Sequence, residues 1–236
     1  MTAPRLVLSL FPGLGLLDRA FETEGFCVVR GPDVIWGGDV RAFHAPEAVF
    51  DGVIGGPPCQ MFSKLVWLVR ANGFESKYGN LIPEFERVCS EAQPTWFLME
   101  NVPEAPTPVV PGYTVWQCTL NNRWFADKSG NGARQHRTRR FSFGTQDGRS
   151  LAFDIALFAD PVKALSVLGN TGGGALTPRL ESLDEMCALQ GLPREFHHGL
   201  PFTHSAKRQA IGNGVPVPMG RAVARAVLRA MGEPDG

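Results

Sequence analysis

Short apolar runs of the kind that form strands recur along the chain, and several are followed by a turn and then by apolar residues at helical spacing. The first, "RLVLSLF" (5–11), leads through Gly13 and Gly15 into "LLDRAFETEG", whose apolar positions repeat with a helix period and which ends on glycine. Further strand candidates are "FCVVRG" (26–31), "FDGVIGG" (50–56), "TWFLMEN" (95–101), "YTVWQCTL" (113–120) and "RRFSFG" (139–144). Helical patterns fall near 80–92 and, after a proline-rich hinge, near 218–231. Alternating strands and helices predict an α/β fold with a mostly parallel sheet, helices on both faces and ligands at the carboxyl ends of the strands.

The stretch 145–176 breaks this rhythm. It holds one weak apolar run, "SLAFDIALFADPV", followed by the turn material "GNTGGGALTP". The organisation expected is a core over 1–144, a reduced region or insertion over 145–176, and a C-terminal segment over 177–236 that folds back onto the core. With 236 residues, the chain suits one compact unit with a sizeable core.

Composition narrows the class only slightly. Apolar content of 44% and charged content of 19% are ordinary for a globular protein, and 23 Lys plus Arg balance 23 Asp plus Glu. Net charge therefore gives no sign of nucleic-acid binding. The run "ARQHRTRRF" nevertheless places four arginines between Arg134 and Arg140 with no acid among them. The five cysteines (27, 59, 89, 118, 187) are odd in number and show no C-x-x-C spacing, which argues against a disulfide framework or a cysteine zinc site. The histidines at 44, 136, 197, 198 and 204 lack metal-ligand spacing and read as surface or core residues, so no metal is expected. Without a leader pattern or a bilayer-length apolar run, the expected setting is cytoplasmic and reducing.

Three motifs carry chemistry. In "LSLFPGLGLLDRAF" a strand ends in Gly-x-Gly and opens a helix, which lets backbone N–H groups approach a ligand, although a tight turn without a ligand fits equally well. Asp33, after the second strand, stands where α/β nucleoside sites place a carboxylate for ribose hydroxyls. Asp39 could accept from an adenine amino group, and either acid could instead be a solvated turn residue. In "DGVIGGPPCQMFSKL" the prolines at 57 and 58 stiffen the backbone before Cys59, and Gly55 and Gly56 allow a close approach. Such a setting suits an aimed nucleophile better than a structural thiol. In "FLMENVPEAP", Glu100 and Asn101 end an apolar strand, where a carboxyl can be desolvated and its pKa raised, making it a proton donor to a ring nitrogen. A helix cap or turn acid is the alternative reading for Glu100.

Taken together, "FPGLG", "GGPPCQ", "ENV", "RQHRTRR" and "AIGNGVPVPMGRAVARAV" resemble, in order and approximate spacing, the DNA cytosine-5 methyltransferases, over about residues 6–230. The resemblance implies a Rossmann-like, S-adenosyl-L-methionine-dependent fold releasing S-adenosyl-L-homocysteine, and a minimal enzyme of phage or prophage type. By that resemblance Cys59 adds to C6 of a flipped-out cytosine while Glu100, beside Asn101, holds and protonates N3. The C5 carbon then takes the methyl group, and loss of the C5 proton and of the thiol releases 5-methylcytosine. Gln135, Arg137 and Arg139 match the Gln-x-Arg-x-Arg motif beside the flipped base. Phe11, Gly13, Leu14 and Gly15 match the cofactor loop, with Asp33, Asp39, Val40, Pro58 and the apolar wall residue Leu81 completing the pocket. Asn213 and Val215 match the C-terminal motif that closes it.

The implied partner is double-stranded DNA, with a monomer expected, no membrane contact, and nucleoid association in a bacterial or infected cell. Flipping the base costs about a few kcal/mol, which contacts from the Arg134–Arg140 run would partly offset. Residues 60–79, with Gly73 and Gly79 as hinges, are the expected lid. Two departures stand out. Asp33 and Asp39 are so close that the usual intervening helix must be short or absent. Between Gly144 and Leu176 there is also too little chain for a target-recognition domain, which leaves a partner protein as one source of sequence recognition. An RNA cytosine-5 methyltransferase and a catalytically silent cofactor- or DNA-binding module are the alternative readings.

Overall fold

The computed structural model describes residues 5–58, 79–125, 135–155 and 182–232. Cys59, the expected lid apart from Gly79, Arg134, and positions 156–176 of the reduced region lie outside the described residues.

All six strand candidates form strands: β1 (Arg5–Leu10), β2 (Phe26–Arg30), β3 (Gly52–Gly55), β4 (Trp96–Asn101), β5 (Thr114–Asn121) and β6 (Thr138–Thr145). They make one sheet in the order β2-β1-β3-β4-β6-β5. The β1–β2, β1–β3 and β3–β4 pairs are parallel, and β6 runs antiparallel between β4 and β5. Reversing this one strand brings its beginning to the edge where the other strands end. Leu10, Gly55, Asn101, Asn121 and Thr138 therefore share one side of the molecule.

Strand alternation sends Val7, Ile54, Leu98 and Phe141 to one face of the sheet, and Leu8, Val53, Phe97 and Met99 to the other. Helix α1 (Leu16–Thr23) buries Leu17 and Phe21 on the first face and packs there against α5 (Val217–Ala230), which buries Met219, Val223 and Val227. The two helices approach closely because a Cβ on Gly220 would lie only 2.7 Å from that of Ala20. Glu24, just past α1, is tied to α5 by Arg221 and Arg225 at 2.5 and 2.9 Å. Helix α2 (Ile82–Ala92) covers the second face with Ile82, Phe85, Val88, Cys89 and Ala92, a helix-period stripe started by a proline in its first turn. Burying a side chain such as Phe21 or Phe85 completely contributes about 1.5–3 kcal/mol.

Two helices were not apparent in the sequence pattern. α3 (Leu183–Leu189) is closed by a capping box in which Ser182 and Glu185 satisfy each other's backbone N–H, and α4 (His204–Asn213) is capped by Thr203. Both are short, and α4 is largely polar. They join α1 around a third cluster that includes Leu16, Ala20, Met186, Cys187, Ile211 and Val217. Among the described residues no helix is long and apolar enough to cross a membrane.

Candidate active site

The strand ends bring most of the predicted residues to one edge. After β1, the chain turns through Phe11, Gly13 and Gly15, which all adopt positive φ (56°, 55° and 72°). Glycine tolerates that region, whereas Phe11 is held in it against its own preference. Gly15 precedes α1, and among the described residues no side chain caps that helix, which makes its first N–H groups available to a ligand or solvent. Among the described residues nothing lies within 4 Å of where a Cβ on Gly13 would point, so the loop faces open space there. Leu14 packs on the third apolar cluster.

Asp33 and Trp36 clasp this loop from the side. Asp33 Oδ2 accepts the Gly13 N–H at 2.8 Å, while Oδ1 accepts from Ile35 N at 2.9 Å and caps a single 3-10 turn, Val34–Trp36. The intervening helix is reduced to this turn, as the spacing of Asp33 and Asp39 requires. Trp36 Nε1 donates to the Gly13 carbonyl at 2.8 Å, and its half-exposed ring lies 5.2 Å from that of Phe202. Trp36 was missed as a site residue; the available signal was a tryptophan directly before Gly37-Gly38. Asp39 caps a second 3-10 turn, Val40–Ala42, through Arg41 N and also pairs with the Arg41 guanidinium. The backbone N–H of Arg41, followed by the guanidinium, holds the Asp39 carboxyl below the usual range. Val40 and Leu81 share one apolar cluster, and Phe11 packs against it.

The second group forms where β3 and β4 end. Gly55 pairs with Leu10 and Met99, which leaves Gly56 beside Glu100. A Cβ on Gly55 would meet the Leu10 carbonyl and the Phe85 ring at 2.9 Å, and one on Gly56 would come to 3.1 Å from Glu100 Oε2. The side-chain amide of Asn101 donates to the Pro57 carbonyl at 3.1 Å while its oxygen accepts from Val102 N. This fixes the start of the Pro57–Pro58 step beside Glu100, and Cys59 follows immediately in sequence.

Glu100 is buried. Arg139 Nε lies 2.7 Å from Oε1 as an ion pair. Burial dominates and raises the Glu100 carboxyl above its ordinary pKa, although Arg139 and Arg137 both pull it down. Arg137 Nη2 donates to the Asn213 carbonyl at 3.1 Å, which links β6 to the C-terminal turn. There Gly214 sits against Leu16, and Gln190 holds the Ile211 and Gly214 carbonyls from α3. Val215 is buried and Asn213 is exposed. Gln135 is fully buried, accepting from Asn122 Nδ2 at 3.2 Å.

The arginine run is less of an open basic surface than its sequence suggests. Arg137 is buried and Arg139 is turned toward Glu100. Arg140, on the opposite face of β6 beside Asn101, buries its Nε and Nη2 with no hydrogen-bond partner among the described residues. Among the described thiols, burial raises Cys89 well above its ordinary value, Cys118 to about 12, and Cys187 upward, so none of these three is an activated nucleophile.

Sheet order and the strand-to-helix glycine loop define a Rossmann-like α/β fold. Residues 36–108 match the model of the C-5 cytosine-specific DNA methylase family. The chain is 35% identical over 118 residues to the type II methyltransferase M.NgoPII of Neisseria gonorrhoeae, covering 42% of this chain and 33% of that protein. It is 36% identical over 112 residues to M.FnuDI of Fusobacterium nucleatum, covering 41% of this chain and 32% of the relative. Residues 36–108 thus resemble the C-5 cytosine-specific DNA methylase family, and the matches span about a third of the length of these curated relatives. Among solved structures it resembles an E. coli prophage protein described as a DNA modification methyltransferase, with a TM-score of 0.68 at 17% identity over 97% of this chain and 99% of that one. It also resembles the Entamoeba histolytica methyltransferase EhMeth, with a TM-score of 0.63 at 11% identity over 98% of this chain and 99% of that one.

Proposed function

We propose that the protein is a DNA cytosine-5 methyltransferase in which Cys59 is the nucleophile and Glu100 the proton donor to the base. The observation that carries this reading is the buried Glu100 carboxyl at the end of β4, next to the clamped Pro57–Pro58 step that leads into Cys59. A neutral cytosine ring is a poor electrophile, so a thiolate adding at C6 needs a proton delivered at N3. A carboxyl whose pKa is raised by burial keeps that proton nearer neutral pH, and Arg139 and Arg137 favour the carboxylate left after its transfer.

Phe11, Gly13, Leu14, Gly15, Asp33, Asp39, Val40, Pro58, Leu81, Asn213 and Val215 would hold S-adenosyl-L-methionine, which supplies the methyl group. The open space before Gly13 and the uncapped start of α1 fit such a ligand. Asp33 and Trp36 would fix the loop in its receptive shape. Asn101 positions the nucleophile segment, while Gln135, with Asn122, and Arg137 brace the edge that faces the base.

Within this reading, 1–144 is the cofactor and catalytic core, 145–176 is a reduced recognition region, and 177–236 closes the pocket. Double-stranded DNA is the proposed substrate, methylated by a monomer with short or relaxed sequence preference. The named relatives are type II methyltransferases, and the matching family model is that of a C-5 cytosine-specific DNA methylase, which favours DNA over RNA. Methylation sequencing of DNA from cells expressing the protein tests the reading. New 5-methylcytosine in a reproducible sequence context is expected, and its absence despite abundant folded protein would refute it.

A further inference from the structure

We propose that Asp184, His197 and His198 form a binding site for a divalent transition-metal ion of the zinc type. One ligand atom from each of the three lies within 4.8 Å of the others. Along the sequence these histidines show no metal-ligand spacing. The fold brings them together: Asp184 comes from the first turn of α3, and the histidines come from the 3-10 turn Arg194–Gly199 packed against it.

Both supports are firm. The Ser182–Glu185 capping box fixes the start of α3, and Phe196, inside the 3-10 turn, packs into the third apolar cluster with the Arg19 guanidinium 5.4 Å from its ring centre. His197 Nε2 lies 2.6 Å from Asp184 Oδ1, and its ring is nearly perpendicular to that of His198, with centroids 4.5 Å apart.

Two imidazole nitrogens and one carboxylate oxygen form a donor set that zinc accepts, with solvent filling a fourth position, whereas magnesium and calcium prefer oxygen alone. Zinc bonds of about 2.0–2.1 Å place tetrahedral donors about 3.3 Å apart. His197 and Asp184 must therefore separate slightly, while the exposed His198 swings in. A bound ion would staple the 3-10 turn to α3 in the layer whose apolar cluster also holds Leu14 of the glycine loop and Leu16 of α1.

The alternative is a simple His197–Asp184 hydrogen bond, to which His198 contributes nothing. Calorimetric titration of the full-length, metal-stripped protein with Zn²⁺ separates the two. One saturable equivalent is expected, with affinity at least about tenfold lower in both His198→Ala and Asp184→Ala. The metal-free melting temperature of His198→Ala should match wild type, because that side chain is exposed. Co²⁺ should give the visible absorption of a four-coordinate site in wild type only, and Mg²⁺ should not compete. Absence of saturable Zn²⁺ binding by wild type would overturn the proposal, as would binding undiminished in both variants or lost in Cys27→Ser instead.

Discussion

Replacing Glu100 with glutamine separates chemistry from stability. Glutamine keeps the shape and can still hydrogen-bond, but it has no proton to give at N3. General acid catalysis of this kind contributes about 10²–10⁴-fold, or about 3–5 kcal/mol of activation free energy, and Glu100→Gln should lose an amount in that range. Its effect on folding follows from the raised carboxyl pKa. A buried acid raised above its unfolded value of about 4.5 binds more protons folded than unfolded, so its contribution is fully favourable below that value. Wild type should lose stability as pH rises from about 4.5 through the folded pKa, and a permanently neutral glutamine should not. The variant should therefore gain on wild type across that window despite leaving Arg139 without its acid. Methyl transfer and thermal melts, run side by side at several pH values, measure both effects. Transfer within a few-fold of wild type would refute the proton-donor role, and a melting temperature that collapses at every pH would show that Glu100 is chiefly structural.

Other substitutions probe the surrounding geometry. Gly55→Ala would push a methyl group into the Leu10 carbonyl and the Phe85 ring, and should lower the urea midpoint by an amount equivalent to about 1–3 kcal/mol; an unchanged midpoint would mean that the strand end is less tightly packed. Asp33→Ala removes the acceptor for the Gly13 N–H and should weaken binding of S-adenosyl-L-homocysteine by about tenfold or more in calorimetry, with a smaller effect on melting. Equal affinity would show that the loop keeps its shape without the clasp.

The strands were readable because each is a short apolar run bounded by turn residues, and the long amphipathic helices because one face must reach the sheet. What the pattern does not carry is direction: "RRFSFG" gives no sign that β6 runs against its neighbours, yet that reversal brings Arg139 to Glu100. Helices α3 and α4 escaped notice because they are held by caps and by α1 more than by periodicity of their own. Predicted site residues are legible as motifs, but their couplings are not. Asp33 and Trp36 act on Gly13, and Asn101 on Pro57, through contacts between different strand ends. His197, His198 and Asp184 are a further case, in which packing of a turn on a helix makes a cluster that linear spacing conceals.

The central claim is that a Cys59-dependent activity transfers a methyl group to cytosine in DNA. The most direct test incubates purified wild-type and Cys59→Ala proteins with labelled S-adenosyl-L-methionine and either duplex DNA or tRNA, with cofactor binding measured in parallel. Label should enter cytosine C5 of DNA with wild type alone, while Cys59→Ala binds cofactor nearly as well. Label in tRNA only, or DNA methylation that persists in Cys59→Ala, would contradict the account.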